Sequence, residues 1–237
     1  MDSFLSLLQF ADGLFPAGAY AHSFGLETYA QSSNSSDKTG AIKTVVDAAE
    51  VEHFLRAYLE GSVAPTDAVA LLCAWRAGQT GDLASCIDLD VMLDAMKTAS
   101  ELRDASRQMG RQTLRIANHF PSHPLLTEFG RAVAEDITPG HHPVVFGMIG
   151  AVMKWPSPEM ASAYLYSTSA ALVGASLRLM PLGQLAGQRI LWNVRPLIAR
   201  LAEEAQDKTQ EDMWSFAPAL EIASMRHATL EARLFRS

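Results

Sequence analysis

The sequence predicts an all-α protein, a single domain over residues 1–237 built from about nine or ten helices. Three observations carry this. Apolar residues recur at helical spacing along most of the chain. Gly and Pro fall mainly between those runs, where they stop helices. The one β-branched run, Val144 to Met153, has no second strand to pair with, so it too reads as a buried helix. With 49% hydrophobic and 19% charged residues, the chain has material for a sizeable core.

The first element is a short apolar helix through Leu7, Leu8 and Phe10, which Asp12 and Gly13 end. A corner follows, with Pro16 and Gly18 against helix continuation and Leu14, Phe15 and Tyr20 too apolar for a floppy loop. A second helix begins near Gly25-Leu26-Glu27, and Gly25 marks a place where a neighbouring helix comes close. Residues 31–46 are rich in Ser, Asn, Lys and Gly and read as a mobile loop. Asp47 caps the next helix, with Glu50 completing a capping box; Val51, Phe54, Leu55, Tyr58 and Leu59 form its apolar face. Pro65 should open a new helix and Gly78 close it, with Leu71, Leu72 and Trp75 buried. Leu89, Met92, Leu93 and Met96 make a further stripe.

A longer helix is expected from Thr98 to about Phe120. Leu102, Met109, Thr113 and Ile116 lie on one side of it, and Arg103, Arg107, Arg111 and Arg115 on another. A step of four drifts about 40° per turn, so the arginines wind slowly round the helix. They are either a solvated face with local ion pairs or a basic ridge for an acidic partner. Gly110 costs this helix about 1 kcal/mol against alanine, which signals a close neighbour. Pro121 and Pro124 break the chain before a helix over Leu125–Glu135, and Pro139 to Pro143 form a turn. A long helix then runs from Pro158 to Met180, a Pro181-Leu182-Gly183 break follows, and another helix covers Gln184 to about Gln206. Residues 207–215 are polar, and Pro218 opens the last segment.

The long helix carries no charge from Met160 to Leu177, about the length at which a membrane span is considered. Its serines, its tyrosines and the small-residue ridge Ala163, Ser167, Ala171, Ala175 favour close helix packing instead, within the chain or in a homodimer. A net charge of −7 argues against a nucleic-acid binder. Cys73 and Cys86 have neither CxxC nor zinc spacing and read as reduced packing residues. No basic stretch precedes an apolar one at the start, so no secretory signal is expected and the protein is placed in the cytoplasm. No phosphate-binding glycine loop, HExxH or GxSxG is present. His141 and His142 are the metal-ligand candidates, adjacent on a turn and without obvious further ligands. Two classes remain on these grounds: a scaffold or adaptor, and a helical enzyme with an unfamiliar active site.

The stretch from Leu7 to Glu27, with Leu-Leu-Gln-Phe-Ala-Asp, Ala-His-Ser and Gly-Leu-Glu at its two ends, resembles the N-terminal motif of the urease accessory protein UreF family. The resemblance continues through Arg103–Gln112, His142–Gly147, Leu177–Gln188, and Pro218–His227 with Arg233–Ser237. Ala17, Ala19 and Ala228 depart from the family pattern. The resemblance implies a non-enzymatic, all-α accessory protein that dimerises, binds UreD (UreH in some organisms) and recruits the GTPase UreG to apo-urease. Nickel is handled by that complex, and no cofactor is held stably. On this reading Glu27, Tyr20, His22 and Arg178 face UreG. Met225, Arg226, Arg233, Leu234, Phe235 and Arg236 face UreD, on a tail (216–237) that either packs on its own body or orders on partner binding. If the tail is one helix, Arg226 and Arg233, seven apart, share a side. Arg178 is expected to anchor the following Gly-Gln turn or a partner carboxylate.

Overall fold

The computed structural model describes residues 2–33, 46–120, 123–230 and 233–236, and among them every regular element is helical. Helix α1 (Asp2–Ala11) leads into the corner, which holds a single 3-10 turn at Ala19–Ala21, and α2 covers Leu26–Ser33. Then follow α3 (Ala48–Tyr58), α4 (Val69–Thr80), α5 (Leu83–Met96), α6 (Ser100–Ala117) and α7 (Pro124–Ala134). The chain ends with α8 (His142–Val152), α9 (Ser157–Leu179), α10 (Gln184–Glu204) and α11 (Pro218–His227). The expected all-α class holds. The Ser/Asn-rich stretch lies outside the described residues from 34 to 45, but residues 31–33 belong to α2 rather than to a loop.

Local chemistry accounts for several ends. Asp47 accepts hydrogen bonds from the amides of Ala49 and Glu50, while the Glu50 carboxylate takes the Asp47 amide, the capping box expected. Pro65 corrects the expectation built on it. It opens no helix: α3 passes into α4 through a wide-turned π-helical segment, Leu59–Ala68, with Pro65 inside. Gly78 does not end α4 either. That role falls to Gly81, whose φ of +71° suits glycine, while a Cβ at Gly78 would press 2.7 Å from that of Ala151 on α8.

The core is organised around α8, whose residues from Val144 to Ala151 are all buried. Helices α4 and α6 flank it. A Cβ on Gly147 would run into the Leu71 backbone, and one on Gly110 into the backbone of Gly140 and His141, which is the close neighbour that Gly110 announced. Helices α9 and α10, joined by the Pro181-Leu182-Gly183 break, pack against each other with Gly187 facing Val173 and Leu177. On α9 the small-residue ridge is graded, with Ala175 buried and Ala163, Ser167 and Ala171 half-buried. No helix among the described residues is long and apolar enough to cross a membrane.

Candidate docking surface

The two ends of the chain meet. Gly25, at φ +84°, lets α11 approach the start of α2 so closely that a Cβ would lie 2.8 Å from Ser224 Oγ and 3.3 Å from the Leu220 carbonyl oxygen. This contact brings His227, the last residue of α11, against Glu27 in the first turn of α2.

Glu27 is only 2% exposed. One carboxylate oxygen takes the Leu234 amide at 2.7 Å; the other takes the Phe235 amide at 3.1 Å and lies 2.9 Å from His227 Nε2. The opposite ring nitrogen of His227 lies 2.8 Å from Glu101 Oε2 on α6, in close contact rather than an aligned hydrogen bond. Arg233 reaches the same Glu101 carboxylate at 3.7 Å and donates to the Ala228 carbonyl. One buried carboxylate therefore holds α2, α11 and the segment around Leu234 and Phe235 together. A buried charge is tolerable only with such partners.

Above it sits Arg178, in the last turn of α9. Its Nη1 donates to the Tyr20 carbonyl at 2.9 Å and its Nε to Gly174 O at 3.1 Å. The guanidinium lies 3.6 Å from the Tyr20 ring centroid and 4.4 Å from that of Phe235. This corrects one of the two expected anchors: Arg178 grips the corner and the tail, both remote in sequence, rather than the Gly-Gln turn that follows it. The Arg236 amide completes the seam by donating to Ala21 O at 2.9 Å. Phe235 is buried, whereas Tyr20 is 71% and Leu234 63% exposed. His22 is buried beneath the corner; burial, then the Arg236 charge, lowers its pKa to about 4.

Tyr20, Glu27 and Arg178, expected on one partner face, thus meet Leu234, Phe235 and Arg236, expected on the other, in one seam. Tyr20, Leu234 and Arg236 are exposed on it, and His22, Glu27 and Phe235 lie underneath; Met225 and Arg226 are exposed on α11. Arg226 and Arg233 do not share a helical side, because α11 ends at His227 and Arg233 lies beyond it. Glu101 and His227 were missed as site residues. Glu101 lies in the first turn of α6, and nothing local to it points to α11.

His141 and His142 part company. His141 is buried, with Nε2 2.9 Å from Asp94 Oδ1 and Nδ1 3.0 Å from Ser106 Oγ. Its amide joins those of a turn around Asp90, which also accepts from Thr138 Oγ1 and the Gly140 amide. His142 turns away to pack on the rings of Phe146 and Tyr164, and burial lowers its pKa to about 4. Among the described residues no group of three His, Cys, Asp or Glu side chains could hold a metal ion. The ring of His142 borders a cavity of about 60 Å³ with Tyr58, Asp67, Lys97 and Tyr164. There Lys97 pairs with Asp67 at 2.7 Å, and the Tyr164 hydroxyl donates to Asp67 at 3.3 Å. Burial raises the pKa of both tyrosines and lowers that of His142, so all three are held neutral and far from the range useful for proton transfer near pH 7.

The UreF family model matches residues 45–195, well over half the chain. The chain belongs to the UreF family, whose members are non-enzymatic urease accessory proteins. It is 31% identical over 237 residues to the urease accessory protein UreF of Bacillus sp. (strain TB-90), covering 100% of both chains. The Lachnoclostridium phytofermentans protein of that name is 32% identical, again over 100% of both. The Paenarthrobacter aurescens one is 33% identical over 98% of this chain and 97% of its own. The family match starts at residue 45, so the corner lies outside it, but the full-length relatives span the corner and the tail as well.

Proposed function

We propose that this chain is a scaffold in urease maturation, a cytoplasmic homodimer that binds UreD (UreH) and recruits the GTPase UreG to apo-urease for nickel incorporation. Nickel is cargo of the assembled complex and is not held stably by this chain. The observation that carries the reading is the seam between corner and tail. It combines an exposed aromatic ring stacked on an arginine, an exposed leucine and several arginines, the residue types that dominate binding energy at protein interfaces. Tyr20 and Arg178 meet UreG, and Met225, Arg226, Leu234 and Arg236 meet UreD. Glu27, His22 and Phe235 act from below by holding both halves in register, and Arg233 by tying the tail to Glu101. The half-buried small residues of α9 leave room for a second copy of the chain.

The test is co-purification of the tagged protein with UreD, UreG and apo-urease expressed together. Wild type should retain all three. Tyr20→Ala should lose UreG while keeping UreD, and Leu234→Asp should lose UreD. If both variants retain every partner, the seam is not the docking surface; if wild type retains none, the scaffold reading fails.

A further inference from the structure

The four arginines of α6 do not form one ridge. Arg103 donates inward to the Lys97 carbonyl. Arg107 is neutralised by Asp94 at 2.6 Å and also approaches Asp104 at 3.4 Å. Arg111 donates Nε to the Pro139 carbonyl at 2.8 Å, and its one carboxylate neighbour among the described residues is Asp136, 3.8 Å away and largely exposed. Arg115 is exposed, and its guanidinium has no ion-pair partner among the described residues. Positive charge is therefore satisfied at the start of the row and open at its end.

That open end lines a cleft of about 670 Å³ between α6 and the corner. Gln108 and Gln112 lie between the arginines on the same wall, and Asp104 is its one acid. The opposite wall is Pro16-Ala17-Gly18, without charge or bulk; Gly18 has φ +99° and open space where a Cβ would stand. A wall this small lets a main chain come close. Glutamine amides both donate and accept, as the backbone of an extended segment requires. Successive arginines four apart on a helix are about 6 Å apart along its axis, and alternate residues of an extended chain are about 6.6 Å apart. Carboxylates on alternate residues would thus reach the Arg111 and Arg115 guanidinium groups together. A nucleic acid fits less well on a chain of net charge −7 with a carboxylate in the same wall.

We propose that this cleft docks an extended acidic segment of a partner protein, with Asp or Glu at alternate positions. The proposal does not depend on which protein supplies the segment. It is tested on the full-length chain by fluorescence anisotropy with a labelled octapeptide of alternating Glu and Ser. The alternating peptide should bind, weaken steeply with added salt, and exceed by about fivefold a peptide of the same composition with its glutamates clustered at one end. Arg115→Gln, which breaks no side-chain hydrogen bond or ion pair among the described residues, should weaken binding about tenfold, and Gln112→Ala should weaken it with no change of charge. Circular dichroism of both variants should match wild type. The proposal is overturned if the peptide does not bind, if both peptides bind alike, or if neither variant weakens binding. Displacement of the peptide by inorganic phosphate or an oligouridylate at equal concentration also overturns it, assigning the cleft to anions or RNA.

Discussion

Glu27 illustrates how a residue's surroundings change its meaning. Its place in a compact motif suggests a surface carboxylate, yet it is buried and accepts two amides from a segment more than 200 residues away. Glu27→Gln keeps the shape and removes the charge, so it should destabilise by about 2 kcal/mol and speed hydrogen exchange at the Leu234 and Phe235 amides. Unchanged protection at those amides would show that the carboxylate does not hold the tail. His22 makes a second prediction. Its pKa falls from 6.5 to about 4 in the folded chain, so above 6.5 it is neutral in both states and neutral for stability. As pH drops from 6.5 toward 4, the unfolded chain takes up a proton that the folded chain refuses, and stability falls by at most about 3 kcal/mol from this group. His142 acts in the same direction. Urea midpoints measured across this window should decline for wild type and decline less for His22→Gln; identical slopes would remove His22 as a cause.

At the scale of the elements, glycines reveal which helices touch. Gly110 and Gly174 both lie inside helices and look alike in sequence, but a Cβ at Gly110 would strike the Gly140–His141 backbone and one at Gly174 would meet nothing within 4 Å. Gly174→Ala should therefore stabilise by about 0.5–1 kcal/mol, the usual helix-propensity gain. Gly110→Ala gains as much locally but forces α6 from the turn before α8, and overpacking of at least about 2 kcal/mol should win. Thermal melts of the two variants should move in opposite directions; a shared direction would mean the α6–α8 contact is looser than described. Asp90 follows the same logic. It follows Leu89 on α5 and is fully buried, and the hydroxyl and amides that satisfy it come from the Thr138–His141 turn.

For the whole molecule, the seam joins chain ends that the central bundle keeps in place. Removing residues 231–237 leaves α11 and His227 but deletes Phe235 and the segment bound by Glu27. Helical content should change little, because no described helix reaches past His227, while co-purification with UreD should be lost. If the truncated chain still retains UreD, the tail serves only its own fold; a collapse of the helical signal would show that the seam supports the bundle.

By itself the sequence determined the helices and most of their ends. Period, caps and glycine stops act within a turn or two, so Asp47 with Glu50 and the Pro181–Gly183 break could be read directly. The family, too, was legible in short motifs. Pro65 shows where local reading stops: its missing amide suits the first turn of a new helix, but it lies inside the buried run from Val63 to Ala68 and the chain carries on through it as a π-helical segment. Only the tertiary structure decided that Glu27 faces inward, that Arg178 bridges Tyr20 and Phe235, and that Arg107 is neutralised while Arg115 stays open. Each of these depends on a partner far along the chain or on a different helix, and a side chain's burial and charge balance are set by such partners rather than by its sequence neighbours.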